Sequence, residues 1–267
     1  MKRCLVLFLV FLFSVVSLSG GIEWTAKSSS QGGKKESNFS LVMHMYAQGG
    51  NVRQVFEEMK GSENPLMAKG GYWIYRSDEN KLYSVNPENK SYMEIPIDSL
   101  MKLTGSMGKL VKMKVSNPVV KREGLSPESV MGYPCEHFRL FMDYEMEVKI
   151  AFIKSKSLTK QVREIWSSPK INAASEIGAP FKSKDMKTGF EDMDRLVEAE
   201  MKAQGEAGFP LKVVTTTTTT DTKGKKSETT VSTMEVTSLS VKKLPETLFE
   251  VPAGYTKEEG AQGLFGK

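Results

Sequence analysis

Three short aromatic runs follow one another between residues 72 and 95, and they constrain the fold more than any other feature of the chain. They are Tyr72-Trp73-Ile74-Tyr75, Leu82-Tyr83-Ser84-Val85 and Ser91-Tyr92-Met93-Glu94-Ile95. Ser77-Asp78-Glu79-Asn80 and Asn86-Pro87-Glu88-Asn89 separate them. Aromatic and β-branched side chains fit a pleated surface, and Asx and Pro supply turns, so this spacing predicts a β-meander. Aromatic groups fall on both alternating positions, so neither face of the sheet is simply wet.

The same period of two recurs along the chain. Phe39, Leu41, Met43 and Met45 alternate with Ser40, Val42, His44 and Tyr46, and Val52 to Met59 returns after the turn Gln48-Gly49-Gly50-Asn51. Gly61-Ser62-Glu63-Asn64-Pro65 breaks the chain again. Two further strands are expected at Glu136 to Asp143 and Glu145 to Ile153. In the second, Met146, Val148, Ile150 and Phe152 alternate with Glu145, Glu147, Lys149 and Ala151. Six consecutive threonines within Pro210 to Thr220 favour strand through β-branching, with a low-complexity linker as the alternative. A matching strand at Val231 to Val241 argues for pairing around Asp221-Thr222-Lys223-Gly224. Leu244 to Pro252 reads as a short helical turn and an extended end anchored by Phe249 and Val251.

Elsewhere the period changes. Leu100, Leu103, Met107, Leu110 and Val111 recur at helical steps, with Asp98 as N-cap, so Asp98 to Met113 is expected to be an amphipathic helix lying on a sheet. Leu158 to Trp166 and Phe190 to Gln204 also read as helical, with a loop carrying Pro169, Gly178 and Pro180 between them. The expected class is α+β, mainly antiparallel β.

The N-terminus has the three parts of a secretory signal. Lys2 and Arg3 precede a stretch from Cys4 to Leu18 that is apolar apart from Ser14 and Ser17, and Ser17-Leu18-Ser19-Gly20-Gly21 supplies small residues for cleavage after Ser19. About 15 apolar residues fall short of the roughly 20 that span a bilayer as a helix. The reading is a signal peptide over 1–19, one domain over 20–267, and a periplasmic product with no transmembrane segment after cleavage; an uncleaved anchor is the alternative. Cys4 begins the apolar stretch instead of following it, which argues against lipidation there. Cys135 is then the sole cysteine and cannot form an intrachain disulfide. Removing Lys2 and Arg3 leaves 35 basic residues against 32 acidic ones, an excess too mild and too dispersed for a nucleic-acid footprint.

Signals of catalysis are thin. Only His44 and His137 could serve as histidine bases, and the chain has no G-x-S-x-G elbow, P-loop or H-E-x-x-H. Cys135 and His137 lie two apart on a predicted strand and share a face, but two ligands do not complete a tetrahedral zinc site. The chain reads as a non-enzyme without cofactors or metal.

Four segments in fixed order carry a family resemblance. They are Tyr83 to Pro96 (YSVNPENKSYMEIP), Gly132 to Phe138 (GYPCEHF), Gly208 to Val214 (GFPLKVV) and Leu244 to Tyr255 (LPETLFEVPAGY). Together they resemble the bacterial DUF4412 family, which is related to the periplasmic lipoprotein carrier and outer-membrane lipoprotein receptor (LolA/LolB-like) fold. The resemblance spans nearly the whole chain after residue 19. It implies an incomplete, strongly curved β-barrel with helices packed in or over its opening, where members of the wider fold group hold acyl chains or other hydrophobic groups. The family has no established activity, so no functional residue is carried over. The chain departs from the usual short pattern in a helical insertion at about 155–205, which leaves open whether such a cavity is empty, filled or lidded.

A curved sheet rich in Met, Tyr and Phe can line an apolar cavity that adapts to flexible chains, and methionine serves equally as core filler. The expected function is to hold or carry a hydrophobic ligand, a lipid or an acylated peptide or lipoprotein, with a lipid-bearing partner. A structural or regulatory module that binds another envelope protein without a ligand is the alternative. Candidate lining residues are Met43, Met45, Trp73, Tyr75, Tyr83, Tyr92, Phe138 and Phe152. Which sheet face looks inward is not legible from alternation alone.

Overall fold

Among the described residues, thirteen strands join into one curved, unclosed sheet, because the period-two segments find their backbone partners on neighbouring segments. The computed structural model describes residues 20–33, 38–61, 70–99, 111–150, 152–171, 190–222 and 226–258. The first meander contains β1 (Ile22–Gly32), β2 (Phe39–Gln48), β3 (Asn51–Lys60), β4 (Tyr72–Arg76), β5 (Lys81–Asn86) and β6 (Ser91–Pro96). The second half contains β7 (Val111–Gly124), β8 (Glu128–Val130), β9 (Tyr133–Ile150), β10 (Ile153–Ser168), β11 (Phe209–Asp221) and β12 (Ser227–Val241). A last strand, β13 (Thr256–Lys257), adds to β6 in the one parallel pairing of the described residues, and all the other pairings are antiparallel. The order β13-β6-β5-β4-β3-β2-β1-β12-β11-β10-β9-β7 shows that the β1/β12 pairing joins the halves, with β8 paired to β9 off this path.

Local chemistry sets several of these junctions. Gly49 and Gly50 both have positive φ between the paired ends Gln48 and Asn51, the backbone a tight two-residue hairpin needs. Asn80 and Lys90 adopt positive φ in the turns of the aromatic meander, where the Asx-rich breaks lie. The threonines of β11 pair on both sides, with β10 and β12, so the run is a strand and not a linker. Thr218 and Thr229 stand opposite each other with hydroxyls 3.0 Å apart.

The helix α1 (Glu191–Gln204) matches the expected one, with Phe190 as its N-cap and three acids in its first turn. It packs on β7 and β9, buries Leu196, and Asp192 Oδ2 accepts from the Val115 amide at 3.1 Å. The Glu246–Phe249 turn of 3₁₀ helix also matches, with Phe249 buried.

Several expectations need correction. Leu158 to Trp166 is strand, so the first part of the insertion expected at 155–205 extends the sheet. Its polar members on one face, Gln161 and Arg163, are satisfied by Thr217 and Glu200, so the side-chain pattern mimicked a helix while β9 and β11 supplied the ladder. The two strands read at 136–143 and 145–153 are one 18-residue strand up to Ile150, because β10 pairs continuously through Asp143 and Tyr144 and overrides the turn tendency of the aspartate. Of the helix expected at 98–113, residues 97–99 are helical, 100–110 lie outside the described residues, and 111–113 belong to β7. β7 takes Pro118 at a register shift on the edge of the sheet, where a missing N–H costs no ladder bond. β1 was not foreseen, because Ser28-Ser29-Ser30 masked Ile22, Trp24 and Ala26. The signal peptide expected over 1–19 and the loop at 172–189 lie outside the described residues.

Candidate functional site

Register sorts the side chains of the first meander onto two faces. Ile22, Ala47, Val52, Tyr75, Leu82 and Ile95 form one cross-strand row, and all but the partly buried Leu82 are buried. The adjacent row on the same face runs Trp24, Met45, Gln54, Trp73, Ser84 and Met93, and the next brings Ala26, Met43 and Phe56 together. We call this the Trp24 face. Phe56 is fully buried and meets Trp73 edge-on at 5.3 Å, and Gln54 Nε2 lies 3.0 Å from Met43 Sδ. Met43, Met45, Trp73 and Met93 are only partly buried, although they adjoin a buried core.

Four of the eight sequence candidates, Met43, Met45, Trp73 and Tyr75, are therefore neighbours on one face. Phe138 shares that face by register but lies in a separate cluster with Leu140, Ile165 and Ala207, on the half of the sheet that carries α1. Phe152 is not on a strand at all: it sits in the turn between β9 and β10, 102 % exposed. Its apparent alternation with Val148 and Ile150 ends where the chain turns. Gln54, Phe56 and Met93 were not singled out, although following the alternation inside Val52 to Met59 would have found the first two.

Tyr83 and Tyr92 stand on the opposite face, with Tyr46, Tyr72, Ile74 and Val85. There the C-terminal segment covers them with Leu244, Leu248, Phe249, Val251 and Tyr255. Gln48 fixes its start by accepting from the Leu244 amide at 2.7 Å and donating to the Leu244 carbonyl at 3.1 Å. The Arg53 guanidinium lies 3.9 Å over the Tyr72 ring and donates to the Leu248 carbonyl. An open groove of about 250 Å³ remains, lined by charged Arg76, Glu79 and Glu94 as well as Tyr83 and Tyr92. Burial, reinforced by the Glu79 carboxylate that accepts from its hydroxyl, raises the Tyr83 phenol above its ordinary range. This groove is polar and suits ions or water better than hydrocarbon.

The sequence profile of DUF4412, described as a domain of unknown function, matches residues 34–255. The chain belongs to the DUF4412 family. No curated protein matches it. Among solved structures it is similar to the crystal structure of a DUF1329 family protein from Desulfovibrio piger, with 10% identity, 88% of this chain and 91% of that chain covered, and a TM-score of 0.23.

The two residues that suggested half a metal site do separate work in this DUF4412 chain. Cys135 is buried in the core, and burial pushes its thiol up, away from the thiolate a metal needs. His137 stacks on Trp166 at 4.3 Å, and its Nε2 lies 2.8 Å from Glu164. Arg139 Nε donates to the other Glu164 oxygen at 2.8 Å. Burial alone would raise the Glu164 carboxyl, but the bonds from Arg139 and His137 outweigh it and hold the carboxyl below its ordinary 4.5. A lowered carboxyl stabilises the fold fully above the unfolded value and loses that contribution as pH falls through the folded value. Wild type should therefore lose more stability than Glu164→Gln on acidification below about pH 4.5, read as urea midpoints, whereas parallel losses would remove Glu164 as the cause.

Proposed function

We propose that this chain is an exported, non-catalytic binding protein that holds the flexible hydrocarbon of a lipid or acylated peptide against the Trp24 face. One observation supports the reading above the others. Met43, Met45 and Trp73 lie close together on β2 and β4, with Gln54 of β3 between Met45 and Trp73, each partly open beside a row that is buried except for Leu82. Thioethers and an indole present polarizable, adaptable apolar surface, and Gln54 between them offers a polar group that could fix an ester or amide. The basic-apolar-small pattern of the first 21 residues supports a periplasmic location.

Native mass spectrometry of the chain purified gently from the periplasm tests this. A co-purifying lipid mass is expected, and Met45→Glu should lower its occupancy about tenfold or more by placing a charge against hydrocarbon. A wild-type chain that stays free of adducts with lipid in excess, or carries a protein partner alone, would replace the carrier with an envelope-protein module.

A further inference from the structure

The end of the β9–β10 hairpin exposes three large apolar side chains within four residues. Ile150 is 53%, Phe152 102% and Ile153 76% exposed. Val119, Met131 and Val241 are scattered singly, which is ordinary for a protein surface, and Val197 and Met201 make one less exposed pair on α1. Clustering at a hairpin end is not, because among the described residues it forfeits burial without packing in return.

Directly behind the tip, register sets Lys112, Lys149 and Lys154 opposite one another on β7, β9 and β10. Like charges side by side across strands destabilise a sheet. Two rows further in Glu147, and four rows in Glu145, carry charge of the other sign: Glu147 pairs with Lys154 at 2.9 Å, and Glu145 with Lys156 at 2.6 Å. Positive charge is thus concentrated within one or two residues of the apolar end, about 3.4 Å per residue along the strand.

We infer that this tip docks the protein on an anionic lipid surface. Phe152 and its isoleucine neighbours enter the interfacial zone, roughly 5–10 Å deep, while the lysine row lies among the headgroup phosphates. An exposed apolar hairpin end backed by a row of lysines on one face of the sheet fits a deformable anionic surface better than a preformed protein groove. Docking of this kind needs no ligand against Met43, Met45 and Trp73, which lie on β2 and β4.

Co-sedimentation with phosphatidylethanolamine vesicles doped with phosphatidylglycerol, set against phosphatidylcholine vesicles, tests it with the full chain. All variants keep the same N-terminus, so any contribution from that end cancels. Phe152→Ser should weaken partitioning to the anionic vesicles about tenfold. Lys112→Glu with Lys149→Glu should weaken it by more than tenfold and abolish its salt dependence. Phe152→Trp should add to the wild-type spectrum a blue-shifted emission that brominated lipid quenches, a readout only this tip can give. Unchanged partitioning of the first two variants at wild-type thermal midpoints overturns the inference. So does an added emission from the Phe152→Trp variant that stays that of an indole in water. Self-association lost on Phe152→Ser would assign the tip to a second copy of the chain and overturn it as well.

Discussion

Phe138→Ala is expected to lower the free energy of unfolding by about 3–5 kcal/mol. Phe138 has no exposed surface and sits among Leu140, Ile165 and Ala207. The Arg122 guanidinium packs over its ring at 4.2 Å. Deleting the ring removes apolar burial and leaves a void that β9, β10 and β11, each paired on both sides, cannot collapse to fill. The same truncation at fully exposed Phe152 should change stability by less than about 0.5 kcal/mol. Urea titrations of the two variants make the comparison, and near-equal losses would disprove the assignment of Phe138 to the structural core. This contrast matters for function, because the two residues looked alike in the sequence, and the structure gives them opposite roles.

The second large effect comes from a glycine. Gly208→Ala should cost about 2–4 kcal/mol, of which about 1–2 reflects the left-handed backbone and the rest a collision. Gly208 has φ +78, and a Cβ there would lie 2.4 Å from the Ser168 carbonyl oxygen and 2.8 Å from Pro169 Cα. Neither can yield easily. Ser168 is fully buried, pairs with Phe209, and donates its hydroxyl to the Pro134 carbonyl at 3.0 Å. Gly208 is thus where the chain leaving α1 is squeezed against the end of β10 on its way into β11. Gly254 has nearly the same φ, +81, with nothing within 4 Å of an added Cβ, so Gly254→Ala isolates the backbone cost. A Gly208→Ala loss no larger than that of Gly254→Ala, in thermal or urea unfolding, would show that the close approach carries no energy.

The aromatic meander was legible because each strand pairs with its sequence neighbour and each turn is marked by Asx or Gly. α1 was legible because its amphipathic pattern faces a single surface, that of β7 and β9. Reading failed where neighbours on both sides took over the work of the side-chain pattern. β10 is flanked by β9 and β11, so its ladder holds it as strand whatever spacing Leu158, Val162 and Trp166 suggest. The candidate site was half legible for a related reason. Alternation groups Met43 with Met45 and Trp73 with Tyr75, but it is silent on whether Tyr83 lies with them.

By itself the sequence determined the class of the fold, the position of most turns and the apolar rows available to build a site. Period two and turn chemistry act over a few residues and need no distant partner. The tertiary structure alone decided that β12 closes onto β1, that Tyr83 and Tyr92 serve the C-terminal segment, and that Phe138 is core while Phe152 is bare. Those outcomes depend on which strand edges meet across the length of the chain, and alternation is identical for either face until a partner covers one of them.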